Sequence, residues 1–173
     1  YSGFMSAYRA ARGDIGPGKV CLIGTGGVGK AVAFGLIALG ADEICCVDLD
    51  PARAEALART LRSMNSETRI KTSDHVETAA KGADGLVNCT PLGMVGIGGT
   101  PLPMPAMQGA VWAFDAVYTP VETQFLREAS QMVETVISGY ELFLGQGVDA
   151  WRLFSGCPVG KTALRRRLAE ENP

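Results

Sequence analysis

From Lys19 onward the chain alternates short apolar, β-branched runs with longer stretches in which apolar positions recur every three or four residues. That alternation predicts parallel βαβ units. Val20 to Ile23 is the first predicted strand, and a helix follows from Gly27 to Leu39 with Val28, Val32, Leu36 and Leu39 on one face and Gly40 placed to end it. Glu43 to Val47 predicts the second strand. Asp50 as N-cap and Pro51 at the first helical position then open a helix whose stripe Ala54, Leu57, Ala58, Leu61 carries it to about Met64. Arg69 to Thr72 predicts a weaker third strand, Asp74 to Lys81 a short helix stopped by Gly82, and Gly85 to Cys89 a fourth strand. A loop with Pro91, Pro101, Pro103 and Pro105 fills 90–108, and loops that long are more often functional than idle. Ala110 to Val117 predicts strand five, Thr119-Pro120 a helix start, and Val133 to Ile137 strand six. From Tyr140 the pattern is helical, broken at Gly156 and Pro158, and residues 1–13 form a helical lead-in with Phe4, Tyr8 and Ala11 on one side.

The predicted fold is α/β, a doubly wound parallel six-stranded sheet of the Rossmann type with an N-terminal lead-in helix and C-terminal helices. Ligands in such sheets lie outside the carboxyl ends of the strands. The positions to interrogate are therefore Gly24 to Gly29, Asp48, Thr90 to Met94, Tyr118 and the Gly139 region.

Composition narrows the function. A chain of 173 residues, 47% hydrophobic and 20% charged, has the balance of one packed domain and not of a disordered chain. Its 22 glycines are nearly twice the usual share, which points to backbone approaching a ligand closely. A net charge of -2 argues against nucleic acid as a partner. The one dense basic run, Arg165 to Arg167, sits beside Glu170 and Glu171 and reads as a solvated helix face. No run of about 20 apolar residues and no export signal is present, so a cytoplasmic protein with no membrane partner is expected. Five cysteines without a Cys-x-x-Cys pair read as reduced thiols, and no metal is expected.

The glycine loop Gly24-Thr25-Gly26-Gly27-Val28-Gly29-Lys30-Ala31 has two readings. As G-x-G-x-x-G it is a dinucleotide fingerprint: Gly24 for the tight turn, Gly26 for approach to a pyrophosphate, Gly29 for close helix–strand packing. As G-x-x-x-x-G-K it approaches a P-loop with Lys30 reaching phosphate, but Ala31 lacks the hydroxyl that would hold magnesium. Asp48 favours the first reading, because it follows the second strand, 19 positions after Gly29, where a carboxylate can accept from the ribose of an adenosine. It also favours NAD, since it would repel the 2'-phosphate of NADP, with NADP kept as the second choice. Arg53 is open between a phosphate contact and an exposed helix arginine. Tyr118 is open between a substrate contact and a half-buried aromatic, and Gln146 can present an amide from the helix after strand six. The only histidine, His75, reads as a surface residue on the adenosine side. No general base emerges in this chain, so no catalytic residue is assigned to it.

Four segments together resemble the cofactor-binding part of the shikimate/quinate dehydrogenase family: GTGGVGK in the glycine loop, NCTPLGM at 88–94, DAVYTP at 115–120 and GYELFLGQGVDAWRLFSG at 139–156. The opening YSGFMSAYR resembles the piece that follows the family's Asn-Thr-Asp motif. The resemblance implies a C-terminal NAD(P)-binding domain whose catalytic Lys and Asp lie in an N-terminal substrate domain outside this chain, leaving the chain inactive alone. On that basis residues 1–18 are a lead-in or hinge helix, 19–156 the dinucleotide-binding domain, and 157–173 a helical tail. It further implies substrate contacts at Tyr118 and Gln146 and nicotinamide-side positions at Thr90, Pro91, Val117 and Gly139, with Gly24, Thr25, Gly26, Gly27, Val28, Gly29, Asp48 and Arg53 around the rest of the cofactor. Leu142 replaces the family's usual Met, and Asp48-Leu49-Asp50 stands where NADP-specific members tend to carry an Asn-Arg-Thr type segment. The implied reaction is reversible oxidation of the ring alcohol of shikimate or quinate to the 3-dehydro ketone. A non-catalytic NAD-binding regulatory module and a P-loop nucleotide hydrolase are the competing readings.

Overall fold

The computed structural model describes residues 1–64 and 66–171. Its six strands are β1 (Lys19–Ile23), β2 (Glu43–Val47), β3 (Arg69–Thr72), β4 (Gly85–Asn88), β5 (Trp112–Asp115) and β6 (Thr135–Ile137). They form one parallel sheet in the order β3-β2-β1-β4-β5-β6. The order reverses between β1 and β4, and that reversal leaves a crevice at the carboxyl edge. This is the doubly wound α/β arrangement that the alternation of runs predicts.

Successive residues of a strand point to opposite faces, and the two cores divide accordingly. Val20 and Leu22 face one core with α1 (Ser2–Arg12), α2 (Gly27–Ala38), α3 (Pro51–Arg62) and Leu142 of α6 (Gly139–Ser155). Cys21 and Ile23 face the other, which is closed by α4 (Val76–Ala80), the 3-10 turn Met104–Met107 and α5 (Gln124–Ala129). The long loop thus contributes Leu102 and Met107 to the core, both fully buried. A last helix, α7 (Lys161–Glu171), rests on α6 through Lys161 and Arg165, which both pair with Glu141. The side chains of Glu170 and Glu171 and the last two residues of the tail lie outside the described residues.

The lead-in helix finds its partners within this domain. Phe4 packs edge-on against Phe114 at 5.0 Å and Tyr8 against Trp112 at 5.0 Å, while the Trp112 indole N–H donates to the Pro17 carbonyl at 3.0 Å. Truncating one such aromatic costs about 3–5 kcal/mol. Ala7, not Ala11, completes the buried face, because only the first two turns of α1 meet the sheet.

Several details differ from the sequence expectation, among them the starts of β5 at Trp112 and not Ala110 and of β6 at Thr135 and not Val133. Strand β5 stops at Asp115, short of Val117, because the Asp115 carboxylate accepts the Val117 amide at 2.9 Å and turns the chain. The following helix starts at Gln124 and not at Thr119-Pro120, whose peptide bond is cis. Thr123 is the cap: its hydroxyl accepts from the Leu126 amide at 3.2 Å, satisfying a first-turn N–H. Val28, expected on the inward face of α2, is 47% exposed because the first turn of that helix overhangs the sheet edge. By contrast Asp50 caps α3 as expected, accepting from the Ala52 amide at 3.0 Å, and Gly40 and Gly82 take the left-handed conformation that ends a helix.

Candidate functional site

A cleft of about 680 Å³ opens at the carboxyl edge, and its walls include Gly24, Gly26, Asp48, Arg53, Thr90 and Pro91. Side chains are barred from its floor by geometry. Gly24 has φ +91°, and a Cβ there would come within 2.8 Å of the Cys89 carbonyl; a Cβ on Gly29 would stand 2.0 Å from the Gly24 oxygen. Gly26 has no heavy atom within 4 Å of its would-be Cβ, so its face is open space. It is also the N-cap of α2 and has no side chain to serve the first-turn amides. An open glycine beside unsatisfied N–H groups and the positive end of a 12-residue helix suits a phosphate.

Asp48 closes one side. Its Oδ2 accepts from the Thr25 amide at 2.8 Å and the Thr25 hydroxyl at 2.7 Å, and Oδ1 accepts from the Asp50 amide at 3.1 Å. Burial works against its charge, but the Thr25 amide and hydroxyl, the Asp50 amide and the Arg53 guanidinium outweigh it and hold the pKa below the usual carboxylate range. A carboxylate offers about four acceptor positions. Three are taken, so Asp48 can receive a further hydroxyl without releasing Thr25. Arg53 pairs only loosely with Asp50, at 3.9 Å and with both side chains more than half exposed, and it remains available to the cleft.

Beyond β1 the site is built on buried polar groups. Asn88 ends β4 and Asp115 ends β5, opposite one another in register and both fully buried. The Asn88 amide donates to Asp115 Oδ1 at 2.9 Å, and its oxygen accepts from the Thr90 amide at 2.9 Å and the Thr90 hydroxyl at 2.7 Å. Thr123 donates to Asp115 Oδ2 at 2.5 Å. Burial pushes the Asp115 pKa up to about 6, against the pull of its Thr123, Val117 and Asn88 donors.

The remaining expected residues divide. Thr25 and Gly29 lie behind the cleft as support, and Gly27 and Val28 sit on the outer first turn of α2. Val117 and Gly139 meet each other, a Cβ on Gly139 falling 2.5 Å from the Val117 oxygen, so α6 starts hard against the turn after β5. Tyr118 is half exposed and stacks on Phe143 at 4.9 Å with the rings 13° apart. Gln146 is exposed one turn further along α6, beside Gly3 of α1. None of these last four lines the cleft that holds Asp48.

Sequence reasoning gave no site role to Asp115, Asn88, Thr123 and Phe143, although all but Thr123 stand in the segments that carry the resemblance. The signal for the first two was a polar residue closing each of two otherwise apolar strands; Phe143 was marked by its three-residue spacing from Gln146. His75 is exposed at the N-cap position of α4, where its side chain makes no cap hydrogen bond, and it has no place in the cleft. Among the described residues no His, Cys, Asp and Glu cluster could hold a metal, and no helix is long and apolar enough to cross a membrane.

Residues 19–96, the segment from β1 through the loop after β4, match the family described as NADP oxidoreductase coenzyme F420-dependent. The quinate/shikimate dehydrogenase (NAD(+)) of Corynebacterium efficiens is 38% identical over 157 residues, covering 90% of this chain and 55% of that protein. The quinate dehydrogenase from Corynebacterium glutamicum in complex with NAD superposes with a TM-score of 0.88 at 32% identity, over 98% of this chain and 61% of that one. The chain belongs to the shikimate/quinate dehydrogenase family. Within that family the shikimate dehydrogenase (NADP(+)) of Arthrobacter sp. is 33% identical over 172 residues, 98% of this chain and 59% of that protein. The chain therefore spans little more than half the length of the relatives it matches.

Proposed function

We propose that the chain is the cofactor-binding part of an NAD-dependent shikimate/quinate dehydrogenase, acting on the ring alcohol of shikimate or quinate and on the 3-dehydro ketone in reverse. The observation that carries this reading is the seat of Asp48: an ionised carboxylate, anchored by Thr25, with one acceptor position left beside an open glycine cradle. The cradle fits a pyrophosphate at Gly24 and Gly26, on the first-turn amides of α2, and Asp48 fits a ribose hydroxyl. The charge of Asp48 disfavours a 2'-phosphate, and the exposed Arg53 is the group that would temper that preference. Thr90, Pro91, Val117 and Gly139 serve the nicotinamide side, and Tyr118 and Gln146 face the substrate. Bound nicotinamide supplies hydride acceptance; the chain's own residues bind and orient. The proton of the alcohol is assigned to a Lys and an Asp of a substrate domain outside this chain, so the chain alone turns over nothing. Residues 1–18 then lead in from that domain, 19–156 bind the dinucleotide, 157–173 form the tail, and the protein works in the cytoplasm.

Calorimetric titration with NAD and with NADP tests this. The expected result is preference for NAD, weakened in Asp48→Ala. Equal affinity for both dinucleotides in the unaltered chain would overturn the role of Asp48, and binding of neither would overturn the reading.

A further inference from the structure

Hydrogen bonds have direction, and a buried carboxylate sets it for its neighbours. Above its raised pKa of about 6 the ionised Asp115 accepts only, and three donors converge on it: the Val117 amide, the Asn88 amide group and the Thr123 hydroxyl. Asn88 must therefore turn its NH₂ inward, where it also reaches the Leu92 carbonyl at 3.3 Å, and its oxygen outward to Thr90. That oxygen takes the Thr90 hydroxyl proton at 2.7 Å. The hydroxyl oxygen then accepts from the Leu92 amide at 3.2 Å and keeps one lone pair. Thr90 is half buried and lines the cleft. Its only proton is committed, so whatever approaches it from the cleft must donate.

We propose that Asp115 is a positioning residue which, through Asn88, fixes the Thr90 hydroxyl as an acceptor, so that the group seated against Thr90 is a hydrogen-bond donor, a sugar hydroxyl of the bound dinucleotide. The donor's identity rests on the reading given under Proposed function; the orientation of Asn88 does not. A buried acid with no cation beside it, whose burial raises its pKa, disfavours its own ionisation, and an apolar residue would pack there without that penalty. What the carboxylate adds is two oxygens that can only accept. Asp115→Asn keeps one such oxygen for Val117 and Asn88 and turns its NH₂ to Thr123, whose hydroxyl can accept it. The direction of the chain at Asn88 survives that change, whereas Asp115→Ala removes its anchor.

The test has two arms, both on the full 173-residue chain. In the ligand-free protein, NMR exchange of the Asn88 side-chain amide protons is expected to be slow in wild type and in Asp115→Asn, and at least about tenfold faster in Asp115→Ala. Unchanged exchange in Asp115→Ala overturns the positioning role. In titrations with NADH, Thr90→Val is expected to weaken binding about tenfold, Thr90→Ser to restore it, and Asp115→Ala to weaken it severalfold alone yet add nothing in the Thr90→Val background. Losses that multiply would show general softening and overturn the proposal. If Asp115→Ala fails to melt cooperatively, Asn88→Ser cuts the same chain one link closer and is held to the same coupling. Failure of the wild-type chain to bind NADH overturns the dinucleotide reading and the sugar donor with it, while the exchange arm still decides the role of Asp115.

Discussion

Two aspartates close neighbouring parts of one sheet edge, and their environments drive them in opposite directions. Asp48 sits just past β2 at the mouth of the cleft, where donors from Thr25 and Asp50 outweigh partial burial and hold its pKa down. Asp115 ends β5 in the interior, where burial outweighs three donors and its pKa rises to about 6. Similar hydrogen-bond counts give opposite outcomes because water, not the count, decides the cost of the charge. The partly buried carboxylate at the cleft mouth is suited to meet a ligand, and the fully buried one to orient the residues that do.

The comparison breaks first at the glycines beneath each half. Gly29→Ala forces a Cβ to 2.0 Å from the Gly24 oxygen, and Gly139→Ala forces one to 2.5 Å from the Val117 oxygen. Each is expected to lose about 3 kcal/mol or more in urea denaturation. Gly29→Ala should also abolish NADH binding, read by fluorescence.

A smaller effect sharpens the contrast in charge. The Asp115 pKa is raised from 3.8 to about 6, so its folded form holds the proton more tightly; that stability is complete below pH 3.8 and disappears as pH rises through 6. Compared with Asp115→Asn, wild type is therefore expected to lose about 2 kcal/mol between pH 4 and 7, measured by denaturation at each pH. Asp48 has the opposite sign: its pKa is lowered from 3.8, so its contribution is present above that value and falls away in more acid solution. Asp48→Ala should weaken NAD about tenfold by calorimetry, or about 1.4 kcal/mol, with a smaller loss for NADP. The smallest change is Gly27→Ala. No atom lies within 4 Å of the new methyl and the site is helical, so the ligand-free chain should gain about 0.5–1 kcal/mol, seen as a higher Tm.

The exposed half of this site was the legible half. A glycine triplet between a strand and a helix, then Asp48 after the next strand, is a pattern carried by local spacing, and β2 and β3 fall on their predicted residues. Asp115 is a single polar letter in an apolar run, and its meaning depends on Asn88, 27 residues away, lying opposite it in register. The same reason displaced the start of α5. Thr119-Pro120 has the local chemistry of a cap, but Thr123 reaches the buried carboxylate and the Leu126 amide together, and only the folded chain brings those groups to one hydroxyl.

The burial of Phe4 and Tyr8 against Phe114 and Trp112 has a mechanical consequence. With those rings locked to β5, α1 moves with the sheet as one rigid piece, and the 13–18 connection cannot act as a joint. Any swing of a body attached ahead of this helix must pivot before Ser2, and a protease that removed the first 12 residues would not trim a flexible leader but pull the keystone from the core.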